Sequence, residues 1–361
     1  MSSFANLDIF KNQIRITFLE GWQKRGVLSY LLWPLSLLTS LYLWLNHHLY
    51  TNGLRTREKI NRPVIVVGNV VVGGAGKTPI VIELTKYLIS SGRSVGVISR
   101  GYGRVGIGIT EVTQELPARI CGDEPKLIFT KTHVPVFVGS QKAATARALI
   151  EKYPHVDIII SDDGLQHQAL ARDLNIIIFD NSGIGNGFLL PAGPLREHWP
   201  IKYPNCDSEL ILSTNEGQAP KGFKAQRLLS DYAYNRYGEK IDLRLPINKK
   251  IHALAGIARP ESFFLMLEQL GLKLDQTTFL KDHAQIDSSH LDPLIQNSTQ
   301  SSSDQTLFLC TEKDAVKIWE YTDLVWAVPL NCSLDSRFLD NLEDWLLKLK
   351  IRSQFIAIFK D

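Results

Sequence analysis

An α/β fold, with a mostly parallel sheet and helices on both faces, follows from three features of the sequence. From Pro63 onward, short Val- and Ile-rich runs alternate with helical patterns, the order that buried parallel strands and crossover helices produce. One such run, VIVV at 64–67, leads through a glycine-rich segment straight into a helical pattern, which narrows the class to a P-loop NTPase-like fold. The length, 361 residues, exceeds what one hydrophobic core supports, so a second, smaller α/β domain is expected. The expected division is an N-terminal membrane-associating helical segment over 1–60, a P-loop core over 61–200, and a second α/β domain over 201–361 that closes over the active site.

The first element is an apolar run. No Asp, Glu, Lys or Arg lies between Arg25 and Arg55, and Val27–Leu45, at ~1.5 Å per helical residue, covers roughly 28 Å, about the hydrocarbon thickness of a bilayer. Trp33, Tyr42, Trp44 and Tyr50 suit a bilayer interface, so membrane contact is expected. Pro34 with Ser29, Ser36, Thr39 and Ser40 permits a shallow or kinked helix as well as a spanning one, and basic residues at both ends leave its orientation open.

The strands and helices then come in order. VIVV, a helix through 80–90 closed by Gly92, and SVGVIS (94–99) make a βαβ unit. VPVFV (134–138), a helix over about 141–153, DIIIS (157–161) and LNIIIF (174–179) extend it. Residues 196–250, rich in Lys, Asn, Pro and Tyr, read as a looser stretch. A second series follows: HALAGIA (252–258), a helix over 260–271, TLFLC (306–310) and LVWAVPL (324–330). Residues 296–305, QNSTQSSSDQ, read as a polar loop.

Composition removes several alternatives. With 44% hydrophobic and 21% charged residues the chain is globular, and 40 Lys plus Arg against 37 Asp plus Glu leave a formal +3, too small an excess for a nucleic-acid footprint. No nucleic-acid partner is expected. Cys121, Cys206, Cys310 and Cys332 form neither a C-x-x-C pair nor a zinc spacing, so they read as free thiols in a reducing compartment.

The chemistry gathers where strands end, the place at which open α/β sheets bind ligands. Gly73, Gly74, Ala75 and Gly76 let backbone N–H groups converge on phosphate oxygens. Lys77 reaches the β- and γ-phosphates and Thr78 offers a magnesium ligand, at a helix N-terminus whose dipole favours anions. Val71 stands where the strict G-x-x-x-x-G-K-T pattern has its first glycine. ATP and Mg²⁺ are the cofactors implied. DIIIS runs into Asp162-Asp163, a Walker-B candidate in which one of the two holds Mg²⁺; Gln166 and His167 follow as groups to orient a phosphate or nucleophile. Three more clusters read as strand-end loops: Ser99-Arg100-Gly101-Tyr102-Gly103-Arg104, Cys121-Gly122-Asp123-Glu124-Pro125, and Pro191-Ala192-Gly193-Pro194-Leu195-Arg196-Glu197. Arg100, Tyr102, Gln166 and Arg196 are the candidates for binding the acceptor substrate. In the second series, Thr311-Glu312-Lys313-Asp314 is not the guanine-reading N/T-K-x-D, because its Lys comes one place late.

In this order, GNVVVGGAGKTP, SRGYGR, GDEP, SDDGLQH, PAGPLRE, AGIARPESFF, KDHA and TEKDAVK, behind an apolar N-terminal segment, resemble the tetraacyldisaccharide 4′-kinase family from about residue 15 to 320. The resemblance implies a kinase of Gram-negative bacteria on the inner membrane, with its catalytic domain on the cytoplasmic face. Such an enzyme moves the ATP γ-phosphate to the 4′-hydroxyl of a tetraacylated glucosamine disaccharide 1-phosphate, giving the lipid A precursor lipid IVA. The implied partners are that acylated glycolipid and inner-membrane lipid. Carried over residue by residue, the resemblance makes Lys77 and Thr78 phosphate and magnesium contacts, and Asp162, Asp163 and Glu197 metal or supporting acids. It makes Asp123 the general base, with His283 as its partner. Where the family often has Arg after the VFV strand, Gly139-Ser140-Gln141-Lys142 stands here, and Lys142 offers a point charge without the fork of Arg. The chemistry agrees independently: a sugar hydroxyl attacking a metaphosphate-like centre needs positioning, charge neutralisation and a late proton acceptor. A partitioning-type ATPase switch would carry Lys where Val72 stands, and a nucleotide-sensing adaptor would not need Asp123, His283 and two metal acids together.

Overall fold

The computed structural model describes residues 21–74, 76–200, 206, 208–214, 220–280 and 306–358. Ala75, His283 and the polar loop over 296–305 lie outside the described residues. The chain divides into two compact units interleaved along the sequence, one of residues 1–76, 163–225 and 334–361, the other of 77–162 and 226–333.

In the first unit the strands Val64–Gly68, Leu174–Phe179, Glu209–Ser213 and the start of Phe223–Leu229 pair in that order, all parallel. Val66 faces Asn175, Ile177 faces Ile211 and Leu212 faces Phe223. The first two strands are buried along their whole length, which is why their Val/Ile runs show no polar alternation. In the C-terminal helix Ser336–Ile358, the buried Phe338, Leu342 and Leu346 recur every four residues, and Phe338 meets Phe223 edge-on at 5.9 Å between ring centroids.

The apolar N-terminal run is a single helix, Val27–Thr51, and it is long and apolar enough to cross a membrane. Its small polar residues bind it to the segment 186–198 of the same unit. Asn186 Nδ2 donates to Ser29 Oγ (3.0 Å). Ser36 Oγ donates to the Leu189 carbonyl (2.8 Å) and accepts from the Ala192 N–H (3.1 Å), and Thr39 Oγ1 donates to the Leu190 carbonyl (2.8 Å). Ser40 and His198 Nε2 lie 3.0 Å apart. Leu31, Leu35, Leu38, Tyr42 and Leu45 remain exposed. The hydroxyls satisfy backbone groups that an unbroken Leu face would leave without partners.

In the second unit Val95–Ser99 pairs in parallel with Ile158–Asp162 on one side and Val136–Val138 on the other. The short Thr110–Glu111 runs antiparallel to the last. A separate six-stranded sheet runs in the order Lys240–Asp242, Tyr232–Tyr234, Val325–Val328, Thr306–Thr311, Lys250–Ala255, Gln276–Phe279, its last four strands parallel. Period two sorts its side chains. Ile251, Ala253, Leu307 and Leu309 pack with Phe263, Phe264 and Leu267 of helix Pro260–Gln269. Leu254, Phe308 and Cys310 pack with Ala315 and Ile318 of helix Glu312–Ile318.

Three expectations need correction. The stretch 196–250 carries four strands, Glu209–Ser213, Phe223–Leu229, Tyr232–Tyr234 and Lys240–Asp242, three of which are five residues or shorter. LVWAVPL divides into Val325–Val328 and Leu330–Leu334, because Pro329 has no N–H to give a ladder. GDEP is the opening of the helix Asp123–Thr132 rather than a strand-end turn; Pro125 sits in the first turn, where its missing N–H costs nothing. All four cysteines are buried free thiols, as expected.

Replacing Ser36 by Val should strand the Ala192 N–H, take one of two donors from the Leu189 carbonyl and cost ~1–3 kcal/mol, read as a lowered melting temperature in detergent. An unchanged melt would show that these bonds do not hold the helix.

Candidate active site

The loop that follows strand Val64–Gly68 ends where helix Lys77–Ser90 begins, so Lys77 and Thr78, both half-buried, head that helix. Gly73 (φ 119°) and Gly76 (φ 70°) adopt backbone angles that a side chain resists, and Gly73 and Gly74 are exposed. A loop with so few side chains is braced from outside. The Val72 N–H donates to the Pro194 carbonyl (2.8 Å), the Arg196 N–H donates to the Val70 carbonyl (2.7 Å), and Val71 bridges Leu195 in antiparallel fashion. PAGPLRE, expected at a strand end, therefore forms a short rung against the phosphate loop.

Arg196 reinforces that rung. Its Nη2 lies 2.8 Å from the Asn69 carbonyl, 2.7 Å from Asn69 Oδ1 and 3.1 Å from Asp163 Oδ1; Gln166 Nε2 donates to the same Asn69 carbonyl at 3.2 Å. Asn69 is fully buried. Asp163 is in the left-handed region (φ 48°), an uncommon conformation for a non-glycine residue and one that clusters at functional sites. Glu197, next to Arg196, is buried.

Asp162 is the last residue of Ile158–Asp162 and is buried. Ser99 Oγ donates to its Oδ2 at 3.0 Å, and Lys142 Nζ donates to its carbonyl at 2.5 Å. The buried Lys142 also donates to the Ile98 carbonyl (3.3 Å), so its charge serves the ends of two adjacent strands. Among the described residues no group of three or more His, Cys, Asp or Glu side chains is arranged to hold a metal.

Asp123 starts the helix Asp123–Thr132 and is buried, with Oδ2 3.3 Å from Lys317 Nζ. The turn before it is pressed against the SRGYGR loop. A Cβ at Gly122 would lie 3.1 Å from Gly101 Cα, and one at Gly101 would lie 2.7 Å from the Cys121 carbonyl. Only glycine at both positions allows that approach. Arg100 and Tyr102 are exposed on the same loop. Burial pushes the Cys121 thiol up to about 11, so it is neutral at physiological pH and no rival base to Asp123.

TEKDAVK forms the helix Glu312–Ile318, capped by Thr311, and it lies antiparallel to Asp123–Thr132 through three ion pairs: Asp123–Lys317, Glu124–Lys313 (both 3.3 Å) and Lys131–Glu312. Each acid stands at a helix N-terminus and Lys131 and Lys317 stand at C-termini, where the dipoles favour them. Sequence reasoning quoted this motif but gave Lys313 and Lys317 no role, and it passed over Asn69. The available signal was two lysines four apart, one helix face, against the adjacent acids Asp123 and Glu124.

A strand–loop–helix with Lys77 and Thr78 at the helix head is the arrangement of the P-loop nucleotide-binding class. The family model for tetraacyldisaccharide-1-P 4′-kinase matches residues 28–347, and the chain belongs to that family. A tetraacyldisaccharide 4′-kinase of Polaromonas naphthalenivorans (strain CJ2) is 43% identical over 335 residues, 92% of this chain and 95% of that protein. One from Shewanella halifaxensis (strain HAW-EB4) is 39% identical over 321 residues, 88% and 93% of the respective chains. Among solved structures, LpxK from Aquifex aeolicus, described as an "apo" form in complex with ATP, is similar with a TM-score of 0.72 at 27% identity, covering 89% of this chain and 99% of that one.

Arg196→Met keeps the reach but loses the Nη2 contacts to Asn69 and Asp163. It should loosen the phosphate loop locally, raising amide exchange at residues 69–74 about tenfold, the equivalent of ~1.4 kcal/mol, with little change in the global melt. Unchanged exchange would remove Arg196 from the bracing.

Proposed function

We propose that this chain transfers the γ-phosphate of ATP to the 4′-hydroxyl of a tetraacylated glucosamine disaccharide 1-phosphate at the cytoplasmic face of the inner membrane. The observation that carries the reading is the braced glycine loop opening into the Lys77–Thr78 helix head, in a chain of this family. Loop N–H groups and Lys77 bind the β- and γ-phosphates, and Lys77 follows the charge that gathers on the transferring group. As the sugar oxygen bonds to phosphorus and the bond to the ADP oxygen breaks, the 4′-hydroxyl proton passes to a carboxylate oxygen of Asp123. His283 is the proposed partner of that base. Arg100 and Tyr102 are proposed to contact the glycolipid.

Magnesium suits the donor set. Thr78 and Asp162 offer hard oxygens, and a P-loop cation completes its shell with phosphate oxygens and water, so no three-residue cluster is required. Of the two acids left open by the sequence, Asp162 is the proposed ligand, with Asp163 and Glu197 as supporting groups. When bound, the ion would neutralise charge on the phosphate oxygens, held by Thr78 and Asp162. Residues 1–60 are proposed to seat the enzyme on the membrane, 61–200 to carry the phosphate chemistry, and, within 201–361, the six-stranded sheet to supply the closing domain, since strands Glu209–Ser213 and Phe223–Leu229 join the sheet of Val64–Gly68. The helix docked by its hydroxyls favours lying in the interface over spanning, with its exposed leucines in lipid.

Incubation with ATP, magnesium and the acylated disaccharide 1-phosphate should add one phosphoryl group to the glycolipid by mass spectrometry, with ADP released in step. ADP release without glycolipid phosphorylation would overturn the proposal. Lys77→Ala and Thr78→Ala should each lower kcat by ~10²-fold or more with the fold intact; near-normal turnover at saturating ATP and magnesium would sink the phosphate-loop assignment. Changing Leu31, Leu38 and Leu45 to Glu together should release the protein from lipid vesicles. Retention in the vesicle pellet would count against the helix as the anchor.

A further inference from the structure

Lys317 touches no part of the phosphate loop among its described contacts, yet its ammonium ends on the proposed base. It lies 3.3 Å from Asp123 Oδ2 and 3.3 Å from Asp314 Oδ1, and its side chain is 8% exposed. Asp314 is completely buried and is itself immobilised: its Oδ2 accepts from the Gly256 N–H (2.8 Å) and from Thr311 Oγ1 (2.7 Å), leaving Oδ1 toward the lysine. A chain of contacts thus runs from the backbone at Gly256 through Asp314 to Lys317 and ends on Asp123. Lys317 leaves the C-terminal end of one helix and Asp123 opens another, so neither side chain needs a long reach.

The charge count gives the arrangement its chemical sense. Two carboxylates share one ammonium, so these three side chains together carry one net negative charge before a proton arrives and none after. Asp314 draws part of the lysine's charge away from Asp123. Without Asp314, a buried one-to-one pair would hold Asp123 so firmly ionised that its power to accept a proton would fall. With Lys317 absent, both carboxylates would lose the ammonium they share. Resting on the reading of Asp123 as the base, we infer that Lys317 is a positioning residue for phosphoryl transfer, held by Asp314 so that its ammonium fixes the orientation and ionisation of the Asp123 carboxylate.

Steady-state kinetics on the full-length enzyme in detergent micelles of the glycolipid test this. Lys317→Met, equal in reach but uncharged, should lower kcat ~10- to 100-fold while leaving KM for ATP and glycolipid within about threefold, since it acts on the base and not on binding. Lys317→Arg should restore kcat to within about fivefold of the parent, because a cation is again present. In an Asp123→Asn background, adding Lys317→Met should cost less than about threefold more, as expected for groups acting as one unit. An equal loss in both backgrounds, or an Arg variant that folds and binds ATP but is as slow as Met, would overturn the inference while leaving Asp123 as base. Near-normal turnover of Asp123→Asn alone would instead remove the base and the inference with it.

Discussion

A phosphate site made of backbone N–H groups has almost no side chains with which to hold itself, and the rest of this molecule answers that constraint. The loop after Val64–Gly68 is pinned by a rung of chain, Pro194 to Val72 and Arg196 to Val70, and by Arg196 Nη2, which reaches both Asn69 and Asp163. Rigidity here matters because donors aimed in advance at developing charge need no reorganisation during reaction. The same segment, a few residues earlier, receives the hydroxyls of the apolar helix at Leu189, Leu190 and Ala192. One stretch of chain therefore carries both the proposed membrane anchor and the proposed phosphate loop. The short covalent path between them limits how far either can shift without the other.

The second organising contact is the antiparallel pair of helices Asp123–Thr132 and Glu312–Ile318. Exposed ion pairs contribute little, but these pairs are mostly shielded, three in number, and aligned with the helix dipoles. Opposite charges in this order also specify the antiparallel register, since sliding one helix by a turn would bring Asp123 toward Glu320 rather than Lys317. Lysine at 313 and 317 thus sets which residues of the second sheet's helix meet the turn that presents Asp123. The position of a proposed catalytic carboxylate is fixed by residues nearly two hundred places further along the chain.

That distance explains what the sequence could and could not disclose. The βαβ unit, the phosphate loop, the strand ending in Asp162 and the parallel pairing were legible because each is local: a Val/Ile run, a glycine pattern, a helix head. Asn69, Lys142 and Lys317 were not. Each acts through a partner remote in sequence, such as Arg196 on Asn69 across 127 residues, and no local pattern marks such a pair. Lys142 looked like a substitute for a guanidinium and is instead buried on two strand-end carbonyls. The short strands between 209 and 242 escaped because strands of three to five residues give too few alternations to separate from loop. The hydroxyls of the N-terminal helix were seen, but a run of apolar residues cannot say which of its faces docks.

Asp162 and Asp163 show how backbone geometry divides what composition leaves equal. Side chains alternate along a strand, so two successive acids at a strand end cannot face the same way. Asp162, still in the strand, turns to Ser99 and stays buried, while Asp163 leaves it in a left-handed turn and joins Arg196. A hydroxyl donor orients a carboxylate without neutralising it, whereas a guanidinium neutralises as it orients. An oriented carboxylate oxygen is a suitable ligand for a hard divalent cation, which is the role proposed for Asp162. Asp163, paired with Arg196, serves the bracing of the loop, so on the proposed reading the two neighbours divide the tasks of binding and support.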